Sequence, residues 1–303
     1  MTAALILAAG NVSEEDGLGP MANVGEVSSI KRILLVFRQA GVKKIVVVSG
    51  FGAEALEKHC SHFGVVFLRN YEYENGEMLT SAIIGLEYLK DKCDKVFITP
   101  ANVPLFSAET VESMDNKEGH VIIPMHKNKT GHPLLLSRSL FNRVMEYSGP
   151  DGLEGALSGE GVKRVFFEVP DAGIIAYAHN NADLNRIIEN HSLRRIKPEM
   201  KVMLSGEKGF FGPGALQLLN LTSETGSLRQ AAQHMGISYS KAWKMITDIE
   251  RQLGFPILSS KVGGKSGGGS ELTDECRAFM ARYDAFMSEC EGLIKAAFDK
   301  HFS

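Results

Sequence analysis

Residues 1–192 alternate between two hydrophobic periods, and that alternation constrains the fold more than any single motif does. Short apolar runs read as buried strands: AALILAAG, KKIVVVSG, GVVFLRN, DKVFITP, HVIIPMH, PLLLS, KRVFFEV and GIIAYAH. Helical patterns separate several of them. In SSIKRILLVFRQAG, Ile30, Ile33, Leu34 and Phe37 share one face, and Gly41 suits a C′ stop. AEALEKHCSHFG and MLTSAIIGLEYLK behave alike. Apolar strands joined through helices bury both sheet faces, which defines an α/β domain with a mostly parallel sheet. Ligands in such sheets bind outside the carboxyl ends of the strands. From about residue 120 the strands come closer together, so an antiparallel excursion is expected there.

Near residue 192 the pattern changes. Residues 193–212 are basic and punctuated by Gly and Pro, and read as a linker and lead-in. From 213 to 303 the pattern is almost entirely helical. ALQLLNLTSETG is one helix. SLRQAAQHMG is a second, with Ser227 as N-cap and Gln230 at N3 in a capping box. ISYSKAWKMITDIERQLG is a third, with an apolar stripe of Ala242, Met245, Ile246, Ile249 and Leu253. A last helix begins near Thr273. The one low-complexity patch is GGKSGGGS, and no internal repeat is present.

Hydrophobic residues make up 44% and charged residues 23% of the 303, which is enough for two ordinary cores. The net charge of −3 excludes a chain-wide polycation, so any nucleic-acid surface must be local. The cysteines Cys60, Cys93, Cys276 and Cys290 form no C-x-x-C pair and read as reduced thiols of a cytoplasmic protein. The opening MTAALILAAG lacks a basic n-region and reads as a strand rather than a signal peptide. No apolar run reaches membrane-spanning length.

Such a local surface lies at the C-terminal end. Two helices meet in a tight turn at Gly236, with Leu228, Ala231, Ala232 and Met235 on the buried side of the first. The third helix begins with a small, polar and basic turn, as a helix meeting base edges and phosphates must. Glycines after Leu258 give a hairpin wing on which Lys261 and Lys265 approach a duplex closely. Between residues 226 and 266, six bases stand against Asp248 and Glu250, a local +4. Candidate DNA contacts are Arg229, Ser238, Tyr239, Ser240, Lys241, Lys244, Lys261 and Lys265; Trp243 is read as partial core. The blander alternative is a helical interaction domain with a solvated basic face.

GSLRQAAQHMGISYSKAWKMI, within about residues 200–290, resembles the winged helix-turn-helix of the molybdate-responsive ModE regulators, of the LysR-type class. The resemblance implies dimeric binding to double-stranded DNA, with residues 273–297 as the dimerisation helix. Those regulators continue into molybdate-binding domains, whereas this chain ends at Ser303. Ligand sensing is therefore expected elsewhere.

The N-terminal half resembles the MobA-like nucleotidyltransferases, the molybdopterin cytidylyl- and guanylyltransferases. The likeness rests on LILAAG, NYEYENGEMLTSAIIGL, TPANVPLF, GHPLLL, GPDGLEGAL and YAHNNADL in order across residues 1–192. It implies a Rossmann-like nucleotidyltransferase fold and places Ala8, Ala9, Gly10, Asn70, Ser81, Asn102 and His132 at the ligand. Asn70 and Ser81 read equally well as structural. Nucleotidyl transfer needs basic loop residues and Mg²⁺ to neutralise a triphosphate. Here no Lys or Arg precedes Lys31, and the loop carries Glu14, Glu15 and Asp16, each opposing a phosphate by about 1 kcal/mol or more. The family's two metal aspartates align with Asn102 and His179, and the Asp before the second with Tyr177. An Asn carbonyl brings no charge, and His is a poor Mg²⁺ ligand.

The expectation is a molybdenum-related DNA-binding regulator, working as a homodimer in the cytoplasm, with an impaired transferase domain as a sensing or assembly module. Its ligand would be a nucleotide, a pterin or molybdate, with no membrane partner. Mg²⁺ belongs only to the alternative, an active transferase that also binds DNA; a protein-interaction adaptor is the third reading. His126, His132 and His179 read as hydrogen-bonded strand-end residues rather than a metal site.

Overall fold

The computed structural model describes residues 1–10, 19–61, 63–74, 78–176, 188, 198, 200–260 and 270–302. The chain divides into two compact units, Met1–Arg195 and Ile196–Ser303.

The first unit is built on a mixed sheet. Its longer strands are β1 (Thr2–Ala8), β2 (Lys44–Ser49), β3 (Val66–Arg69), β4 (Lys95–Pro100), β5 (Val121–His126), β6 (Leu134–Ser137) and β7 (Arg164–Glu168), in the order β7-β5-β6-β4-β1-β2-β3, with the two-residue strand Lys129–Thr130 antiparallel to β5. Strand β1 pairs parallel with β2 and β4, β2 with β3, and β7 with β5. Strand β6 runs antiparallel to both β4 and β5, which is the expected excursion. The chain builds outward from β1 through β2 to β3, then returns to place β4 on the other side of β1. The topological switch point therefore lies between β1 and β4.

The longer helices of this unit are α1 (Ser29–Gln39), α2 (Ala53–Cys60), α3 (Met78–Leu89) and α4 (Ala108–Asp115); α5 (Phe141–Met145) and α6 (Gly152–Ala156) are short. Ile30, Ile33, Leu34 and Phe37 are fully buried, and Phe37 packs on Phe97 and Phe106 at ring-centroid distances of 5.8 and 5.2 Å. On the α3 side, Gly85 abuts β1, where a Cβ would stand 2.2 Å from Leu5 Cδ1. Only glycine lets α3 pack this close to the sheet.

The first half of one expected strand takes another form. In GIIAYAH, Ala172–Ile175 make a 3₁₀ turn, and residues 177–179 lie outside the described residues. The reason is Asp171. Its buried carboxylate accepts from Ser107 N at 2.8 Å, Thr110 Oγ1 at 2.6 Å and Gly173 N at 2.9 Å. Capping its own following turn bends the chain where apolar periodicity asked for extension.

In the second unit, part of the lead-in 193–212 is structured: β8 (Leu204–Ser205) pairs antiparallel with β9 (Gly209–Phe211). Phe211 is fully buried, edge-on to Phe279 and Tyr283. Helices α7 (Pro213–Thr225), α8 (Leu228–His234) and α9 (Tyr239–Leu253) follow. Then come β10 (Leu258–Ser260) and β11 (Ser270–Leu272), paired antiparallel as the arms of a wing, and α10 (Asp274–Phe302).

Replacing Asp171 with Ala leaves three donors without their charged acceptor. The expected loss is about 3 kcal/mol of stability, read as a lower urea midpoint at unchanged slope.

Candidate ligand and nucleic-acid sites

In the first unit the switch point is framed by the segments that leave β1 and β4. Ala8 and Ala9 are buried, Gly10 is exposed, and Ala9 O accepts from Phe51 N at 3.1 Å. That approach depends on Gly50, where a Cβ would meet Ala9 O at 2.5 Å. Ser29, in the first turn of α1, donates its hydroxyl to Ala101 O and so ties the helix to the turn after β4. Next in that turn is Asn102, whose Oδ1 is buried with no hydrogen-bond partner.

Asn70 and Ser81 are both buried and engaged with each other. Asn70 Nδ2 donates to Ser81 Oγ at 3.1 Å, and Asn70 Oδ1 accepts from Glu72 N at 2.9 Å. Of the two readings open for this pair, the geometry favours the structural one. His132 lies on the link into β6, and its backbone N–H donates to Ile174 O at 2.9 Å. Its ring bonds the Ile98 backbone while Nδ1 is buried without a partner; burial pulls its pKa from 6.5 down to about 4. His126 spends Nδ1 on Val169 O at 2.9 Å. Glu14, Glu15, Asp16, Tyr177 and His179 lie outside the described residues. Among the described residues, no group of three or more His, Cys, Asp or Glu is placed to hold a metal ion.

Sequence reasoning missed Arg32. It sits on the buried face of α1 between Ile30 and Ile33, 5% exposed. Nη2 donates to Val24 O at 2.9 Å, Nε has no partner, and burial lowers the guanidinium pKa. Val24 packs with Leu105, Ala176 and Ile188, from the segments that follow β4 and the 3₁₀ turn. The signal available in SSIKRILL was a cation inside an otherwise apolar stripe. Also missed were the exposed aromatics Phe51 and Tyr71 beyond β2 and β3, with Phe51 edge-on to Tyr73 at 6.3 Å.

In the second unit, α8 and α9 are joined through Gly236, whose φ of +62° is a left-handed turn that glycine adopts without strain. Leu228, Ala231, Ala232, Ala242, Ile246 and Ile249 are buried between the helices. Ser227 Oγ accepts from Gln230 N at 3.3 Å and Ser238 Oγ from Lys241 N at 3.2 Å, so both helices are capped by serine. Ser238 is thus committed to holding the helix start, with its hydroxyl hydrogen left for an outside acceptor. Arg229, Tyr239, Ser240, Lys241 and Lys244 are exposed. Arg251 pairs with Asp248 one turn away, which neutralises it.

Trp243 is not partial core. It is 51% exposed and stacks on Tyr239 at 6.4 Å, while the Arg229 guanidinium lies 4.8 Å over the Tyr239 ring. Ala242 and Ile246 already fill the helix crossing, so Trp243, one residue on, faces outward. The result is an Arg–Tyr–Trp ledge along the start of α9. Glu250 Oε1 accepts from Ile257 N at 2.8 Å and fixes the wing's base to α9. Lys261 and Lys265 lie outside the described residues.

These two arrangements define an α/β nucleotidyltransferase-type unit and a winged helix-turn-helix unit. Residues 4–165, more than half the chain, match the MobA-like NTP transferase domain, and the chain belongs to that family. Residues 214–277 match the bacterial regulatory helix-turn-helix protein, lysR family. A nucleotidyl transferase from Methanothermobacter thermautotroptrophicus superposes with TM-score 0.53 at 21% identity, covering 63% of this chain and 97% of its own. The 4-diphosphocytidyl-2C-methyl-D-erythritol synthase of Anaerococcus prevotii gives 0.51 at 14%, covering 62% and 98%. Both share the fold of the first unit.

Curated relatives include the molybdenum-pterin-binding protein MopB of Rhodobacter capsulatus, 31% identical over 33% of this chain and 36% of MopB. The transcriptional regulator ModE of Haemophilus influenzae is 33% identical over 25% of this chain and 29% of ModE. The chain thus spans about a third of the length of the curated relatives it matches. Among the described residues, no helix is long and apolar enough to cross a membrane.

The buried His132 imidazole carries a sign-definite pH dependence. Its folded pKa lies below the unfolded one, so the unfolded chain binds the extra proton between pH 6.5 and about 4. Stability falls as pH drops through that window, by at most about 3 kcal/mol. His132→Gln removes this part of the acid limb, measured as the difference between the two proteins' urea midpoints at pH 7 and pH 4.5.

Proposed function

We propose that the chain is a molybdenum-related transcription regulator of the cytoplasm, binding duplex DNA as a homodimer through its second unit. In this reading the MobA-like domain recognises a small ligand, a nucleotide, a pterin or molybdate, and does not transfer nucleotides. The start of α9 carries the DNA reading. Serine-capped and set on a helix-turn-helix core, it exposes Lys241 and Lys244 beside the Arg229–Tyr239–Trp243 ledge. Cations meet phosphates there, and the ledge adds planar groups for base edges. The molybdenum link comes from the likeness to ModE and to MopB. Beyond Tyr283, α10 presents Phe286, Met287, Cys290, Leu293, Ile294 and Phe298 at helical spacing, with Leu293 66% exposed. A second copy would cover that stripe.

Fluorescence anisotropy on duplex DNA tests the interface. Lys241→Ala and Lys244→Ala are each expected to weaken binding about fivefold at low salt and to lower the salt slope by about 1, so the loss shrinks as salt rises. Unchanged affinity at low salt would remove α9 from the interface. Paired half-sites are expected about 34 Å apart or at a multiple of that.

Loss of transferase chemistry rests on Asn102. Mg²⁺ seeks charged carboxylate oxygens, and this position offers one neutral amide oxygen, buried and unpartnered. Among the described residues, the one at this position does not fit the ion. Family membership and the preserved Ala8–Gly10 strand end favour the rival, a Mg²⁺-dependent transferase that also binds DNA. Calorimetric titration with CTP and with GTP, each with Mg²⁺, separates the two. The wild type is expected to show no Mg²⁺-dependent affinity for either, and Asn102→Asp with His179→Asp to gain it. Nucleotide transfer by the wild type at ordinary enzyme rates would sink the sensor reading.

A further inference from the structure

We propose that the crevice at the β1–β4 switch point is an oxyanion site that works without a divalent metal, with the Arg32 guanidinium as its countercharge. The inference rests on the sensor reading and deepens it by assigning the ligand's chemistry. Open α/β sheets bind ligands where neighbouring connections leave a central strand in opposite directions, which here is between β1 and β4. The segments bounding that place carry three unusual features. Arg32, on the helix that follows β1, is 5% exposed, and its Nε has no partner. Among the described residues its Nη2 is bonded to the neutral Val24 carbonyl, and no carboxylate forms a salt bridge with it. Asn102, in the turn after β4, leaves its amide oxygen buried and unpartnered.

A buried guanidinium without an anion is a costly arrangement, and a carbonyl could be satisfied by a neutral donor. An oxyanion explains the charge. Guanidinium nitrogens match phosphate-type oxygens in a planar fork. The Val24, Leu105, Ala176 and Ile188 cluster provides a low-dielectric wall that strengthens the attraction. Gly25 keeps the approach open, since a Cβ there would stand 3.3 Å from Arg32 Nη2. A carboxylate at position 102 would repel the same ligand, whereas an amide turned over donates to it.

The test is calorimetry on the full-length chain in EDTA, without DNA, using inorganic pyrophosphate, molybdate, CTP and GTP as separate probes. At least one is expected to bind. Binding of an inorganic probe identifies a free oxyanion as sufficient, and binding of nucleotides alone identifies a phosphate carried on a larger ligand. Arg32→Met is expected to weaken the bound probe by about tenfold or more, with Arg32→Lys intermediate. Retained DNA affinity and an unchanged melting profile show that the variant folds. Should Arg32→Met not fold, Asn102→Asp in EDTA is expected to weaken the probe by about tenfold. No binding by any probe in EDTA overturns the proposal, as does undiminished affinity in the reporting variant. Failure of the sensor reading shows separately, as nucleotide turnover or as DNA affinity indifferent to a bound probe.

Discussion

Strand β1 is the constraint on which the first unit depends. Ala3, Ala4, Leu5 and Ile6 have no exposed surface, and parallel ladders run along both edges. A strand buried on both faces cannot slip by one residue without redirecting every side chain. Its carboxyl end is therefore a rigid point, and the turns after β1, β2 and β4 are all referred to it. Gly50 and Gly85 are needed for this reason: one lets the turn after β2 close on Ala9, the other lets α3 close on Leu5.

In the reading proposed here, that scaffold is kept without the chemistry its family implies. The strand end at Ala8–Gly10, the turn at Asn102 and the His132 link into β6 are all in place. What differs is charge. A neutral amide stands where the family resemblance implies a carboxylate, and α1 carries a buried guanidinium. In low dielectric, one unit of charge outweighs several neutral contacts. Such a domain can keep its shape while its preference moves from a cation to an anion.

The second unit solves a different problem with the same economy. Ala231 and Ala232 let α8 and α9 approach, Gly236 turns the chain between them, and serines close both helix starts. With the crossing filled by small and branched side chains, the larger aromatics on the same helix are left on the outside. Tyr239 and Trp243 are held there by each other and by Arg229. Packing, more than hydrophobicity, decides which apolar residues are available to a partner.

Period and punctuation determined much of this protein from the sequence alone. Alternating strand and helix periods specify the parallel sheet and its antiparallel excursion, and the run from Ser227 to Leu253 specifies the helix-turn-helix. These are local signals, carried by residues within a few turns of one another. Tertiary structure decided the rest. Asp171 sets a turn at the start of an apolar run, and two of its partners, Ser107 and Thr110, lie some sixty positions away. Asn70 and Ser81 are occupied by each other, which spacing does not reveal. Trp243 lies outside because the crossing was already full. Arg32 stands in the sequence as a cation inside an apolar stripe; with α1 laid against the sheet, burial removes its water and, among the described residues, leaves it without a carboxylate partner. Periodicity tells which face is buried, but the desolvation of a charge depends on chain segments that meet only in three dimensions.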